Sequence, residues 1–431
     1  MKHKLLTLLG LVLFCLPLCA DKYTEWADRH WKWIQNEQTD SLLVHATDEV
    51  KAALPAATLA GIWQKLVQQA GTLKGQDDWE QEATAGYQIC RRRLAFERAA
   101  LYLNLTFDKT MKLAGISFTP APLRKTPQPL QPEALPDGIE EQTFTVSHGE
   151  VELPGLLTLP TARSGKLPVV VLVHGSGPND RNETIGPNQL FRELAYALAA
   201  KGIAVVRYDK RTLVYRDNFE AVSNGVVNYD TETVDDAIQA LKQLAETDEI
   251  DASRLYVIGH SLGGMLALRI VNYSQMPVAG IIGLAAPARP FEKMLNEQLR
   301  YVGQVNGLSS KEATQKAKEQ TQAIMLKLPK AYLECCKQYN HLASARSLQN
   351  LPMLFIQGTH DYQVTRTDLL RWKKGLHKNT AARFVLLPEI DHLMRQLPQM
   401  AVPADYQEKH PVSPLVVEEI ATFILQKSNF Q

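Results

Sequence analysis

The sequence predicts an α/β fold, a mostly parallel sheet with helices on both faces, preceded by a smaller α+β domain. Three observations lead to this prediction. After residue 166, continuous apolar runs typical of buried parallel strands alternate with amphipathic helical segments. A proline-rich stretch separates this region from a first domain in which helices precede strands. One strand passes directly into a helix through the turn Gly259-His260-Ser261-Leu262-Gly263.

The first twenty residues have the composition of a secretory signal peptide. A basic start is followed by an apolar run over 5–19 and by the small residue Ala20. We therefore expect cleavage after Ala20 and an exported protein, periplasmic or secreted. Two alternatives stay open: an uncleaved anchor, and a lipid on Cys19, against which the large Leu18 argues. No later run is apolar over the length of a bilayer, so no stable membrane insertion is expected.

Charge and cysteine content exclude several classes of function. The formal net charge of +1 offers no electrostatic attraction to nucleic acid or to an anionic surface. Beyond the signal, Cys90, Cys335 and Cys336 are too few for a disulfide framework. Three unpaired thiols are expected, and one bridge from Cys90 to either of the others stays open. The chain has no C-x-x-C or H-E-x-x-H spacing, so no metal site and no cofactor is predicted.

Residues 21–120 are predicted to form the smaller domain. Amphipathic helices are expected over 23–36, 42–54 and 57–70. Alternating runs at 84–90, 93–96 and 99–107 indicate three or four antiparallel strands. The tryptophans at helical spacing are expected in the core, with a ligand cleft as the alternative. Six prolines between residues 118 and 138 exclude a helix, so residues 121–138 are predicted to be a semi-rigid linker.

The large domain, residues 139–431, is predicted to open with two antiparallel strands and to continue with parallel ones. The first two are expected at 142–147 and 151–159. Buried strands are expected at 166–173, 203–208, 255–258, 279–285, 352–357 and 383–387. Residues 287–350 contain helical patterns and no strand candidate. We interpret them as a cap over the active-site end of the sheet, against the alternative of solvated surface helices.

The turn around Ser261 has the G-x-S-x-G pattern of a nucleophile elbow. An apolar run precedes it and a helical segment follows, which is the context that this motif requires. Its small residues let the strand and the helix approach each other closely. The helix N-terminus then directs free N–H groups toward the serine oxygen. The sequence therefore predicts Ser261 as a nucleophile.

Two further residues complete a catalytic triad. Asp361 follows the predicted strand at 352–357, and His392 follows the strand at 383–387. The order Ser261, Asp361, His392 is the one that the α/β-hydrolase fold uses. His392 is predicted to accept the serine proton, while Asp361 holds the imidazole tautomer and stabilises its cation.

The loop His174-Gly175-Ser176-Gly177 follows the first parallel strand and has the H-G-x-G pattern of an oxyanion-hole loop. Two backbone N–H groups must face the oxygen of a tetrahedral intermediate. We assign them to Ser176 and to Leu262. Supporting roles are predicted for Gly175, His260 and Asp209.

Residues 139–431 resemble secreted bacterial α/β-hydrolase esterases of the dienelactone-hydrolase-like group. The resemblance rests on four stretches, which are 174–182, 207–212, 259–264 and 358–365. Residues 21–120 resemble a small domain of unknown function that often precedes such enzymes, on the strength of Trp63-Gln-Lys-Leu, Gly71 and Thr106-Phe107-Asp108. The family commonly has an acid where this chain has Asn182, and the cap matches poorly, so the resemblance implies no substrate.

The sequence thus predicts a serine esterase that acts on a small-molecule ester through an acyl-enzyme and without a cofactor. Neither nucleic acid nor a membrane is expected as a partner. A serine peptidase of the prolyl-oligopeptidase or aminopeptidase type is the first alternative, because it shares the triad and the fold; an acidic pair that captures a peptide amine would favour it. A non-catalytic protein that binds a surface polymer is the second alternative.

Overall fold

The computed structural model describes most of the chain in two compact units. The described residues are 22–54, 61–84, 86–120, 135–149, 151–215, 219–223, 225–348 and 350–426. The predicted signal peptide and most of the predicted linker therefore lie outside the described residues, and both stay predictions.

The first unit packs helices onto an antiparallel sheet, as predicted. Its helices are Lys22–Gln35, Thr39–Val44, Asp48–Ala53 and Ile62–Ala70. Its strands are β1 (Leu73–Gln76), β2 (Glu80–Thr84), β3 (Tyr87–Phe96), β4 (Ala100–Phe107) and β5 (Leu113–Pro120). They are joined in the order β1-β3-β4-β5, with β2 also paired to β3.

Three predictions for this unit were wrong in detail. The helix expected over 42–54 is two helices, because Ala46 pairs with Leu113 and the Thr47 side chain caps a new helix. Thr84 ends β2, and the runs expected as separate strands at 84–90 and 93–96 otherwise form one strand, since β3 continues through the arginines between them. One of these, Arg92, is buried with its guanidinium 4.3 Å from the Trp79 ring. The sheet has five strands rather than three or four.

The first helix buries one face at helical spacing. Ala27, His30, Trp31 and Ile34 lie on that face, against the sheet core. Trp31 and Trp79 are buried in the same core, whereas Trp26, Trp33 and Trp63 pack on its edge. The described tryptophans of this unit thus have the predicted core role.

His30 in this core makes the unit sensitive to acid. Its Nδ1 donates to the Trp26 carbonyl at 2.8 Å, and burial nevertheless lowers the pKa of His30 from 6.5 to about 4. Below pH 6.5 the unfolded chain binds a proton at His30, while the folded chain stays neutral until about pH 4. We therefore expect the unit to lose about 3 kcal/mol of stability as the pH falls through this window.

Tryptophan fluorescence measures this loss in the full chain, since five of the six tryptophans precede residue 80. Urea unfolding is compared at pH 7 and pH 4.5. The matched variant His30→Asn keeps an N–H group for the Trp26 carbonyl but does not titrate, so its pH dependence is expected to be smaller. Identical pH dependence in the two proteins would contradict the assignment to His30.

The second unit is built on an eight-stranded sheet. Its strands are β6 (Ile139–His148), β7 (Val151–Pro160), β8 (Leu167–Val173), β11 (Ala204–Tyr208), β12 (Ile250–His260), β13 (Gly280–Leu284), β14 (Met353–Gly358) and β15 (Ala382–Leu387). The order is β15-β14-β13-β12-β8-β11-β7-β6. All pairs from β15 to β11 are parallel, and β7 pairs antiparallel with β11 and β6. A short hairpin, β9 (Thr184–Ile185) and β10 (Asn188–Gln189), lies outside this sheet.

Helices cover this sheet and form the cap. The helices outside the cap are Leu190–Ala199, Arg211–Val214, Phe219–Val222, Asp235–Ala245, Leu262–Ser274, Arg366–Gly375 and Pro414–Leu425, with a π-turn at Asp230–Val234 and a 3₁₀ turn at Pro403–Gln407. The segment 287–350 contains Phe291–Val305, Ser310–Lys327, Lys330–Gln338 and His341–Ser347. The last of these was not predicted; Asn340 caps it by accepting the N–H of Ala343. Within the part of the chain that the structure describes, no helix is long and apolar enough to span a bilayer.

Candidate active site

The predicted site residues follow the carboxyl ends of neighbouring strands. Gly175 and Ser176 follow β8, and Asp209 follows β11. Ser261 follows β12 directly. Asp361 and His392 follow β14 and β15. Because parallel strands end at the same edge of a sheet, segments far apart in sequence meet there.

Ser261 occupies a strained turn between β12 and the helix Leu262–Ser274. Its φ is 53° and its ψ is −120°, a conformation that non-glycine residues rarely adopt. The turn is tight enough to require its glycines. A Cβ on Gly259 would lie 2.1 Å from the carbonyl oxygen of Gly263, and one on Gly263 would lie 2.2 Å from that of Val173. The nucleophile-elbow geometry predicted from the sequence is present.

Asp361 and His392 form a buried hydrogen-bonded pair. Nδ1 of His392 donates to Oδ2 of Asp361 at 2.8 Å. The other oxygen, Oδ1, accepts the N–H groups of Gln363 and Val364 at 2.8 and 2.9 Å, which fixes the carboxylate. This arrangement places the proton on Nδ1 and leaves Nε2 to act as a base.

The elbow and the triad histidine meet through His260. Nε2 of His260 donates to the carbonyl of His392 at 2.8 Å, and the two rings lie 4.8 Å apart. Among the described residues, the Ser261 hydroxyl makes no hydrogen bond to His392. In enzymes without substrate this contact is often long, and it shortens when substrate binds. The structure thus brings the three predicted residues to one place, and their catalytic roles stay predictions.

The two predicted oxyanion-hole donors are free to bind an oxygen. In the described part of the chain, neither the N–H of Ser176 nor that of Leu262 has an acceptor. Both residues line the cavity that contains Ser261. Gly175 lies against the nucleophile, since a Cβ there would be 3.2 Å from the Cβ of Ser261. Free N–H groups beside the serine are one requirement for stabilising a tetrahedral oxyanion, and the roles of Ser176 and Leu262 stay predictions.

A cavity of about 670 Å³ opens beside Ser261 under the cap. Most of its wall is apolar or aromatic, and much of it comes from the cap helices. The apolar lining includes Leu262, Met265, Phe291, Met294, Met325, Tyr332 and Leu342. Charged groups at its exposed rim are Glu292, Lys337 and Arg371. The segment 287–350 is therefore a cap over the site, as predicted.

Comparison with known proteins identifies the family to which the chain belongs. Residues 190–407, just over half of the chain, match the prolyl oligopeptidase family. Over 400 residues the chain is 35% identical to the esterase EstD of Thermotoga maritima, covering 91% of this chain and 93% of EstD. The chain belongs to the prolyl oligopeptidase family. Residues 27–116 match a family described as a protein of unknown function, DUF3887, in agreement with the resemblance noted for the smaller domain.

Solved structures of low identity also align with the chain. A dienelactone hydrolase from Anabaena variabilis is 17% identical, with 66% of this chain and 97% of that one covered and a TM-score of 0.39. A Pyrococcus furiosus esterase, Pf2001, is 16% identical, with 66% and 90% covered and a TM-score of 0.43. The predicted α/β-hydrolase fold is confirmed by the family match and by the sheet order of the second unit.

The three predicted supporting residues lie at or just after the ends of strands around the site, and their roles stay predictions. Asp209 binds Arg181 by two side-chain hydrogen bonds, at 3.0 and 2.6 Å, and also accepts its backbone N–H at 2.7 Å. Asp209 thereby holds the loop that follows Gly175. Asn182 is buried, and its side-chain oxygen accepts a hydrogen bond from the guanidinium of Arg207.

His260 lies beside a buried carboxylate. Its Nδ1 is 3.1 Å from Oε2 of the buried Glu183, without the alignment of a hydrogen bond. Burial alone would lower the pKa of His260, but the carboxylate of Glu183 outweighs burial and raises that pKa. Burial likewise opposes the charge on Glu183, yet His260 and His174 hold its pKa below the usual value.

Two residues of the site were missed in the sequence. Glu183 and Lys210 are buried against Gly175, although an isolated Glu or Lys in a loop reads as a surface charge. The positive φ of Glu183, 49°, marks a constrained turn, but it is visible only in the structure. The described cysteines, Cys90, Cys335 and Cys336, form no disulfide bond with one another. The described residues contain no cluster of three or more groups that could hold a metal.

Proposed function

We propose that this chain hydrolyses carboxylic esters through an acyl-enzyme on Ser261. The hydrogen-bonded Asp361–His392 pair beside the strained serine is the observation that carries the proposal. EstD is an esterase with 35% identity over 91% of this chain, and it supports the ester hydrolase predicted from the sequence.

The reaction follows from the positions of the groups. The Ser261 oxygen attacks the ester carbonyl carbon, and Nε2 of His392 takes the hydroxyl proton. The N–H groups of Ser176 and Leu262 bind the oxyanion, and His392 then protonates the departing alkoxide. Water activated by the same histidine attacks the acyl-enzyme, which releases the acid and restores Ser261.

The cavity favours an acyl group larger than acetyl. Its volume, about 670 Å³, is in the range of pockets that enclose drug-sized ligands. Each methylene that enters an apolar wall contributes about 0.8 kcal/mol, or about a fourfold gain in binding. We therefore expect kcat/KM for p-nitrophenyl esters to rise from acetate through medium-chain acyl groups and to fall once the cavity is full.

The matched variant Met325→Trp tests whether this cavity sets the preference. Met325 lies in the cavity wall on the cap helix Ser310–Lys327, away from the triad. The larger side chain is expected to move the best substrate to a shorter chain and to leave acetate hydrolysis near that of the parent. A parent enzyme whose rate is highest for acetate would overturn the size argument.

The peptidase alternative requires an acidic pair that captures a peptide amine. Among the described residues that line the cavity, Glu292 is the one acid. The ester hydrolase is therefore the better-supported function within the family. Export remains a proposal based on residues 1–20, and N-terminal sequencing of the mature protein tests it, with Asp21 expected first.

A further inference from the structure

The peptide that carries one oxyanion-hole donor is held by a buried lysine. Nζ of Lys210 donates to the carbonyl oxygen of Gly175 at 2.9 Å and to Oε1 of Glu232 at 2.6 Å. Lys210 and Glu232 are each 2% exposed. A lysine is rarely buried to this extent unless its charge is paired and its donors are used. Here its second acceptor is the backbone of the oxyanion loop.

The geometry of a peptide unit links this contact to the site. The Gly175 carbonyl and the Ser176 N–H belong to the same peptide group, and in a trans peptide they point in opposite directions. A lysine that fixes the carbonyl on one side therefore fixes the direction of the N–H on the other side. That N–H has no acceptor among the described residues, and Ser176 lines the cavity with Ser261.

The preceding peptide is held from another direction. Oε1 of Glu183 accepts the N–H of Gly175 at 2.7 Å. Both peptide groups that meet at Gly175 are thus bound by buried charged side chains, which leaves the loop little rotational freedom. Asn179 adds a contact of 3.3 Å to the same Gly175 carbonyl. Lys210 forms an ion pair with Glu232, and Oε2 of Glu183 lies 3.1 Å from Nδ1 of His260.

We propose that Lys210 is a positioning residue of the oxyanion hole: its ammonium group orients and polarises the Gly175–Ser176 peptide so that the Ser176 N–H is a stronger donor to the developing oxyanion. This inference rests on the proposed function. A charged donor on a carbonyl withdraws electron density from the amide, and hydrogen bonds in such a chain strengthen one another. The effect is largest when charge appears on the substrate oxygen, so it lowers the barrier more than it tightens substrate binding.

The proposal is tested by removing Lys210 together with its partner Glu232, so that no buried charge is left without a partner. The double variant Lys210→Met/Glu232→Gln replaces both ions by neutral groups of similar length. Loss of a whole oxyanion donor costs about 10²- to 10³-fold in kcat, and a donor that is weakened and misaligned is expected to cost about 10- to 100-fold. KM is expected to stay within about twofold, since ground-state binding does not use the N–H strongly.

Two further readouts separate positioning from general stability. Binding of a boronic acid, which forms a tetrahedral adduct with the serine, is expected to weaken by the same factor as kcat/KM. Lys210→Arg keeps a cationic donor and is expected to recover most of the activity. The neighbouring buried pair supplies the control. Arg211→Met/Asp236→Asn removes an ion pair of similar burial that does not touch Gly175, and it is expected to lower the melting temperature while kcat stays within about twofold.

The outcomes are distinct. If the first double variant does not fold, Lys210→Gln/Glu232→Gln replaces it. Its kcat is expected to lie below that of the parent and above that of an enzyme that lacks one oxyanion donor. A folded variant with the kcat and the boronic-acid affinity of the parent overturns the proposed role of Lys210 and leaves the proposed function unaffected. A parent enzyme that does not hydrolyse esters overturns the proposed function instead.

Discussion

Ser261→Ala is expected to lower kcat for a p-nitrophenyl ester by about 10⁵- to 10⁶-fold and to leave KM nearly unchanged. The variant keeps the cavity and the free N–H groups of Ser176 and Leu262, so it still binds substrate. It loses the nucleophile, and without the serine the histidine and aspartate contribute little, since triad members act as a unit.

The matched control is Ser253→Ala. Ser253 is exposed near the start of β12, where its hydroxyl donates to Asp251 at 2.6 Å. This control is expected to retain the rate of the parent enzyme. A folded Ser261→Ala protein, checked by circular dichroism, that keeps more than about 1% of the activity would exclude Ser261 as the nucleophile.

Asp361→Asn is expected to reduce kcat by about 10⁴-fold. The substitution conserves shape, and its oxygen can still accept the N–H groups of Gln363 and Val364. At the position of Oδ2, however, the new NH₂ group would face the N–H donors of both His392 and Gln357. The histidine must then adopt the other tautomer, in which Nε2 carries the proton and cannot accept one from Ser261.

Steady-state rates of matched variants check this expectation. Asp361→Asn is compared with Asp251→Asn, which alters a half-buried carboxylate near the start of β12, at the other end of the strand from Ser261, and is expected to behave as the parent does. In the Ser261→Ala background, Asp361→Asn is expected to cause almost no further loss. A fully active Asp361→Asn protein, or a further loss as large as that in the parent background, would show that the carboxylate does not work through the triad.

The three proposed triad residues, which the structure brings to one place, could be predicted because their signals are local. Ser261 lies in a motif whose small residues are required by contacts within the turn, such as the approach of Gly259 to Gly263. Asp361 and His392 each follow an apolar run, and their order along the chain matched the fold. Such a pattern can be recognised in the sequence because each residue directly follows a strand, and the ends of adjacent parallel strands lie side by side.

The supporting charges could not be predicted in the same way. The burial of Lys210 and Glu183 depends on Glu232, His260 and the backbone of Gly175, which are distant in sequence. Asp209 was predicted as a supporting residue, but only the packed structure shows its bonds to Arg181. Long-range pairing also explains why five strands, rather than three or four, were found in the smaller domain.

The smaller domain shows a second limit. The helix expected over 42–54 breaks because Ala46 pairs with Leu113, almost seventy residues further along the chain. Helical periodicity on both sides of the break gave no sign of that contact. The continuity of β3 was missed for a related reason, because its consecutive arginines look like a break in a strand. The burial of Arg92 depends on the ring of Trp79, which lies between β1 and β2.

The central claim is that Ser261 is the nucleophile that becomes acylated. Labelling with diisopropyl fluorophosphate, followed by peptide mass spectrometry, tests it most directly. The account predicts a single phosphoryl adduct on Ser261 whose extent matches the loss of esterase activity. An enzyme that is fully inhibited while Ser261 stays unmodified would contradict it.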